Sequence, residues 1–500
     1  MCIVRRYQNK ILAGGILILA VTLRFSKMIW ERDFWYDEAF TGIITRMSWE
    51  KMWWMIFHDV HPPLYYYLLK PWASLFDYSV FGFRSFSAVL GVLGVVSIYW
   101  VGKKLFNEKV GLLASFFMAI SPFAILYSQE ARMYSLLGFL IIWWAYFLIK
   151  SLKSDKLSDW LWWALFSILC LYTHYLAIFF LVMAGVTFIG YKLVFSRNKK
   201  DSLVTKVKNI VTAWKFMGAV LIIGVAFSLW LPAFQQHTSR KGLGWIPVAY
   251  IGDIPESLQV FFLGHSPSTM AIAEANKFRE LPFAFDGEVP GTLLGNSTVG
   301  LVILIILMVG HINLWRKNKW RKEVFVITGL SFGVLIFLIL LSQIGKRFYV
   351  DRYFTPVAML IYLLLAMVIG QLRIKWQWIA VVSYVGILLW LRPIVFDSSW
   401  GNILSDSTMI NEKTTVITDN AFEYTTARFH FGEGRVKLYN QGDPEQDLSM
   451  WIVVKPEDHI TRLDKYLQKE NVVYVGSWGY SWKGFDLQTL KDVGRLKIYK

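Results

Sequence analysis

Residues 297–341 read STVGLVILIILMVGHINLWRKNKWRKEVFVITGLSFGVLIFLILL. Two apolar runs, Ser297–Ile312 and Val324–Leu341, flank Arg316, Lys317, Lys319, Arg321 and Lys322. Each run is close to the ~20 apolar residues that cross a hydrocarbon core. A basic cluster between two such runs marks a cytoplasmic loop. The segment therefore reads as span, inner loop, span. Composition extends that reading to the whole chain: its 500 residues are 55% hydrophobic and 17% charged, with a mean hydropathy of +0.43. A soluble domain carries about 25% charged residues, and a disordered chain needs low hydrophobicity. Both classes are excluded. Two cysteines, Cys2 and Cys170, are too few for a disulfide scaffold or a cysteine-rich metal site.

Working outward, further apolar runs lie at Ile11–Ile29, Phe81–Tyr99, Gly111–Tyr127, Met133–Ile149, Trp160–Leu171, Tyr175–Val194, Phe216–Leu231, Phe354–Ile369 and Trp378–Ile394. Arg5, Arg6 and Lys10 precede the first run, and no cleavage site follows it, so it reads as a retained span with its N-terminus inside. Pro62–Phe76 is short and interrupted by Lys70 and Pro71. If it lies in the interface instead of crossing, every later basic loop falls on the inner side. The expectation is a polytopic α-helical membrane domain over 1–396 with about eleven spans. Its first outer loop, 31–80, holds interfacial helices, and its second long outer loop is 232–294.

The tail, 397–500, differs. It carries 13 Lys+Arg against 15 Asp+Glu, so the net charge of +17 belongs wholly to the membrane part. That excess is inner-loop lysine and arginine and not a nucleic-acid footprint. Short β-rich runs at Thr414–Thr418, Val436–Tyr439, Trp451–Val454 and Val472–Val475 alternate with a helical pattern at His459–Lys469. A small α/β domain on the non-cytoplasmic side is expected.

With this topology the unusual polar residues share one membrane face. Asp33, Asp37 and Glu38 follow the first span. His58, Asp59 and His61 precede the interfacial segment. Gln129, Glu130 and Arg132 fill one short outer turn, His174 another, and Lys346, Arg347, Asp351 and Arg352 a third. Singly each has an ordinary role: an acidic residue caps a helix N-terminus, a cation snorkels. Together, sequence-distant carboxylates, histidines and arginines at one depth read as a polar site at the membrane surface. Asp37, Glu130 and His61 leave a divalent metal ion open, although no ligand spacing fixes one. There is no glycine-rich phosphate loop to support nucleotide chemistry.

These residues also resemble a known family. WYDEAFTG (35–42) looks like the acidic signature of the protein O-mannosyltransferase-like membrane glycosyltransferases of the GT-C fold, whose bacterial members include the lipid A aminoarabinose transferase. HDVHPPLYYYLL (58–69), FGFRSFSAVLGV (81–92), SPFAILYSQEARMYSLLGFL (121–140), LYTHYLAIFF (171–180) and DRYFTPVAML (351–360) resemble that superfamily's elements in its order. The similarity runs from about Leu23 to Ala366 and is strongest to the uncharacterised bacterial branch.

The resemblance implies transfer of a sugar from a polyprenyl-phosphate carrier to an acceptor hydroxyl of a glycolipid, cell-envelope glycan or protein, outside the plasma membrane. It assigns Asp37 as the base, with Glu38 positioning it or the acceptor and Glu130 as a second carboxylate that orients the sugar or shares a divalent ion. Arg132, Arg352 and Lys346 are candidates for the phosphate clamp, with arginine favoured for its bidentate geometry. His61 contacts phosphate or a metal in this reading, and Tyr65, Tyr66 and Tyr134 line the donor groove or belong to the aromatic belt. Transporters and flippases, the main rival, place their binding residues near the midplane on broken helices. A glycan polymerase or ligase is the second.

Overall fold

The computed structural model describes residues 2–26, 34–195, 213–239, 246, 248–264, 283–285, 297–317, 319–391, 393–395, 410–411, 413–439, 456–460, 462–463, 465–466, 471–477, 489–493 and 496–499. Two compact units emerge. One is Met1–Ser26, Ser87–Gln235 and Lys241–Phe396; the other is Lys27–Phe86, Gln236–Arg240 and Asp397–Lys500.

The first unit is helical. Its elements are α1 (Cys2–Phe25), most of α5 (Val80–Leu105), α6 (Glu108–Ile120), α7 (Pro122–Gln129), α8 (Tyr134–Ser154), α9 (Leu157–Thr173), α10 (Ala177–Val194), α11 (Trp214–Ser228), the start of α12 (Leu231–Ser239), α13 (Asp253–Leu263), α14 (Thr298–Arg316), α15 (Arg321–Gln343), α16 (Thr355–Ile369) and α17 (Ile374–Leu391). Among the described residues, seven helices are long and apolar enough to cross a membrane, or nine if each of two bent pairs is one span. Leu157–Thr173 and Ile374–Trp390 are apolar but shorter. The chain is thus a multi-pass membrane protein. The expected apolar runs fall mainly on helices, with seven to nine of spanning length among the described residues where eleven spans were expected. Residues 27–29 of the first run lie outside the described residues, and Ile394 of the last lies in the strand Pro393–Val395.

Burial sorts these helices. Every residue of α16 is buried, where it packs against α6, α8 and α15. On α14, Leu301, Val302, Ile305, Met308, Val309 and Ile312 are exposed, an apolar surface that only lipid suits. Two expectations change. Gly111–Tyr127 is not one straight span: the chain bends by 62° between α6 and α7. Pro122 lacks an N–H and starts a new helix, while the Ser121 hydroxyl caps it by accepting the Ala124 N–H at 3.1 Å. The stretch 232–294 also holds α13, which packs against α14 and α7 and buries Ile254, Leu258, Phe261 and Phe262.

The second unit joins α2 (Tyr36–Arg46), α3 (Trp49–Phe57) and α4 (Leu64–Ser74) to a mixed sheet with one helix. At 11 residues, α4 spans about 16 Å, too short to cross a core of about 30 Å. After the antiparallel pair β1 (Phe283–Phe285) and β2 (Pro393–Val395) of the first unit, the sheet of the second takes the order β5-β4-β3-β6-β8-β7, from β3 (Thr415–Thr418), β4 (Val436–Tyr439), β5 (His459–Ile460), β6 (Val472–Ser477), β7 (Thr489–Val493) and β8 (Leu496–Tyr499). Strands β5, β4, β3 and β6 are parallel, and β8 and β7 antiparallel. The expected helix from His459 fails at its start: His459 and Ile460 pair with Leu438 and Tyr439. A β-branched residue against an open sheet edge outweighs weak helical periodicity. The strand expected at Trp451–Val454 lies outside the described residues.

One contact in this unit matters for function. Helix α18 (Ala421–Phe431) packs directly on α2. Phe34 stacks on Phe429 with ring centroids 4.6 Å apart. The Arg46 guanidinium lies 4.0 Å from the Phe429 ring centroid and donates to its carbonyl at 3.1 Å. Gly42 permits this approach, since a Cβ there would lie 2.3 Å from the Phe429 ring. The C-terminal domain therefore holds the helix that begins with Asp37 and Glu38.

Candidate active site

Asp37 and Glu38 both occupy the first turn of α2, where carboxylates complement the helix dipole. Adjacent helical residues point about 100° apart, so the two diverge. Glu38 is fully buried and takes a bidentate ion pair from Arg84, with Nε to Oε1 at 2.8 Å and Nη2 to Oε2 at 2.6 Å. Asp37 is half-buried, its carbonyl accepting the Thr41 hydroxyl at 2.9 Å. At the other end of α2, Lys70 donates to the carbonyls of Thr45 and Met47 and so supplies the cap that the helix lacks in sequence. His61 and Asp59 pair through Nδ1 and Oδ2 at 3.0 Å, which orients the imidazole. Tyr65 is fully buried against Tyr66 and Phe86, an interior position within this unit.

His430, at the end of α18, accepts the Phe34 N–H on Nε2 at 3.3 Å. Burial, with Arg46 and Arg84 nearby, pushes its pKa down to about 3. A neutral imidazole is thus built into the fold, while the unfolded chain titrates near 6.5. Above that value the group contributes nothing to pH dependence. Below it the unfolded state binds a proton that the folded state refuses, so stability falls with pH until about 3. The expected result is a loss of up to about 1.4 kcal/mol per pH unit in that window. Unfolding midpoints from pH 7 to 4 check it: His430→Gln should flatten the slope, and an unchanged slope rejects the assignment.

In the first unit the turn between α7 and α8 carries Glu130 and Arg132. Both are buried, and the Arg132 N–H donates to the Glu130 carbonyl at 2.7 Å. Tyr134 opens α8, fully buried, and Glu130, Arg132, Arg352 and Tyr353 all lie within electrostatic reach of its hydroxyl. His174, between α9 and α10, packs near Tyr134 at 6.1 Å and Tyr353 at 5.1 Å between ring centroids. Arg352 sits in a 3₁₀ turn, Asp351–Phe354, leading into α16. Glu130, Arg132, Tyr134, His174 and Arg352 are therefore gathered around one point. Lys346 is exposed in the turn after α15.

Such a cluster, two guanidiniums and one carboxylate among aromatic rings, suits a phosphorylated ligand. Among the described residues, no three His, Cys, Asp or Glu side chains gather closely enough to hold a metal ion. Glu38 is committed to Arg84 and the charge around Tyr134 is mainly cationic, so these described side chains do not fit a divalent ion. Sequence reading passed over Arg84, although FGFRSFS lay within the family-like motifs. It also passed over Tyr353, whose signal was its place next to Arg352.

Residues 60–231 match the family model described as dolichyl-phosphate-mannose-protein mannosyltransferase. No protein of curated function matches the sequence. Among solved structures, the chain is similar to ArnT from Cupriavidus metallidurans in the apo state, at 12% identity and a TM-score of 0.61, over 99% of this chain and 98% of that one. ArnT bound to undecaprenyl phosphate gives 11% identity and a TM-score of 0.59, over 100% and 98%. The apo oligosaccharyltransferase of Archaeoglobus fulgidus gives 11% and 0.50, over 94% and 70%. At these identities the solved structures establish the fold, and the family match over residues 60–231 adds the sequence link. The protein is a multi-pass membrane protein with the GT-C fold of these solved structures, and its residues 60–231 match the mannosyltransferase family model.

Proposed function

We propose that the protein moves a sugar from a polyprenyl-phosphate-linked donor to an acceptor hydroxyl on the non-cytoplasmic face of the plasma membrane, with its N-terminus inside and C-terminal domain outside. The observation that carries this reading is the pair of arginines, Arg132 and Arg352, set with Glu130 around Tyr134 where membrane helices end. Arg132 is buried and Arg352 half-buried, and two guanidiniums at the ends of membrane helices suit the oxygens of a lipid-borne phosphate. The fold is shared with a protein solved with undecaprenyl phosphate.

The chemistry follows from the bonds involved. The acceptor oxygen attacks the anomeric carbon while the bond from that carbon to the phosphate oxygen breaks. The electron pair leaves with the phosphate, a good leaving group that needs no proton. Asp37 takes the acceptor's proton, Arg132 and Arg352 stabilise the departing phosphate, and Glu130 orients the sugar. Glu38 holds α2 through Arg84. A single displacement inverts the anomeric configuration. The transferred group is a hexose or a pentose, and the acceptor a glycolipid, an envelope glycan or a protein.

The test uses the full-length protein in lipid nanodiscs with a panel of labelled polyprenyl-phosphate sugars. Wild type should transfer label with inversion, read by NMR of the product. Arg132→Met and Arg352→Met should each lower kcat/KM for the donor by about 10²–10³-fold, and the exposed Lys346→Ala by less than tenfold. No transfer from any donor rejects the function; unaffected arginine variants reject the clamp.

A further inference from the structure

Arg24 lies at the end of the first apolar span and is fully buried. Its Nη1 donates to the Ala119 carbonyl at 3.1 Å and its Nη2 to the Met118 carbonyl at 3.0 Å. Those carbonyls are the ones left without helical partners where α6 stops at the Ser121 bend. A helix C-terminus carries about half a negative charge, so the bend offers this buried cation a counter-charge that no carboxylate among the described residues provides. Gln129, the last residue of α7, acts in the opposite direction. Its Nε2 donates to the carbonyl of Leu23 at 2.8 Å and that of Arg24 at 3.4 Å, at the end of α1. The end of α1 thus caps α6, and the end of α7 caps α1.

Neighbouring elements are shaped around the pair. A Cβ at Gly91 would meet the Ser128 hydroxyl at 2.2 Å and Arg24 Nε at 2.9 Å, so only glycine leaves room there. One turn earlier on α5, Ser87 donates to the Arg132 carbonyl at 3.2 Å. Ser121 and Tyr362 share a hydrogen bond at 2.7 Å beside the bend, and Tyr362 donates to the Phe261 carbonyl at 2.7 Å. The turn that carries Glu130 and Arg132 begins directly after Gln129.

We propose that Arg24 and Gln129 are positioning residues: Arg24 capping α6 and Gln129 capping α1 together hold the Glu130–Arg132 turn at the depth where it meets the donor phosphate. This rests on the glycosyl-transfer reading above. Without the lock, α7 slides against α1 and the turn loses its register, although no residue that touches substrate has changed.

The experiment compares Arg24→Lys, Arg24→Met and Gln129→Leu with wild type, all full length in nanodiscs. Donor KM, acceptor KM and kcat are measured alongside amide hydrogen exchange over residues 128–134. Arg24→Met and Gln129→Leu should raise donor KM at least tenfold, leave acceptor KM within twofold, and speed exchange in that segment. Arg24→Lys keeps the charge but loses the fork and should fall between. Folded variants with wild-type donor KM and exchange overturn the proposal, as does an equal rise in both KM values. If Arg24→Met does not fold, Arg24→Lys and Gln129→Leu decide. Wild type that transfers no sugar defeats the functional reading alone, and the exchange measurement then decides the lock by itself.

Discussion

Asp37→Asn is expected to lower the rate of sugar transfer by about 10²–10⁴-fold, the range that a positioned general base contributes. The change keeps the size and hydrogen-bonding shape of the side chain and removes only its capacity to take a proton. Its structural cost is small: a carboxylate in the first turn of a helix is worth about 0.3–1 kcal/mol. Catalytic loss and instability are therefore separable. The neighbouring acid cannot substitute, because Glu38 is fully buried and held by both Nε and Nη2 of Arg84. Initial rates with saturating donor and acceptor, beside an unfolding midpoint, provide the check. Turnover within threefold of wild type removes Asp37 as the base.

How much of this was legible in the sequence depends on the range of the interaction concerned. A membrane span is a one-dimensional signal, so runs such as Val324–Leu341 could be read directly and coincide with helices. The bend at Ser121 was written in the Ser-Pro dipeptide but masked by continuous hydrophobicity on both sides. Arg24 escaped notice because its partners are carbonyls of residues 118 and 119, and a backbone acceptor leaves no mark in the sequence. The adjacency of Asp37 and Glu38 announced a polar site, yet only the fold reveals that Glu38 is committed to Arg84, 46 residues away. Around Tyr134 the case is different. Glu130, Arg132 and Tyr134 are close in sequence, and the span topology put Arg352 in an outer turn on the same face, so those residues were named before their geometry was seen. Local chemistry and apolar length were visible; long-range pairing was not.

That pairing sets the largest expected effect on stability. Arg84→Met strips two charge-assisted hydrogen bonds from a carboxylate with no solvent exposure. Breaking one side of a buried pair costs about 3–5 kcal/mol, because the remaining charge stays buried. Replacing both sides by apolar groups of similar volume is often close to neutral. The double variant Glu38→Leu, Arg84→Met should therefore recover most of the loss, and denaturant unfolding of the full-length protein in detergent measures the difference. A second signature separates the pair from general core damage. Burial first, and then the charges of Arg46 and Arg84, hold His430 neutral, so Arg84→Met should also raise the imidazole's pKa and narrow the acid window in which stability falls. A single variant that loses less than about 1 kcal/mol, or a double variant no better than the single, would show that the ion pair does not hold α2. The expected recovery instead makes Arg84 the residue that keeps Glu38 buried and so leaves Asp37 as the carboxylate presented by the first turn of that helix.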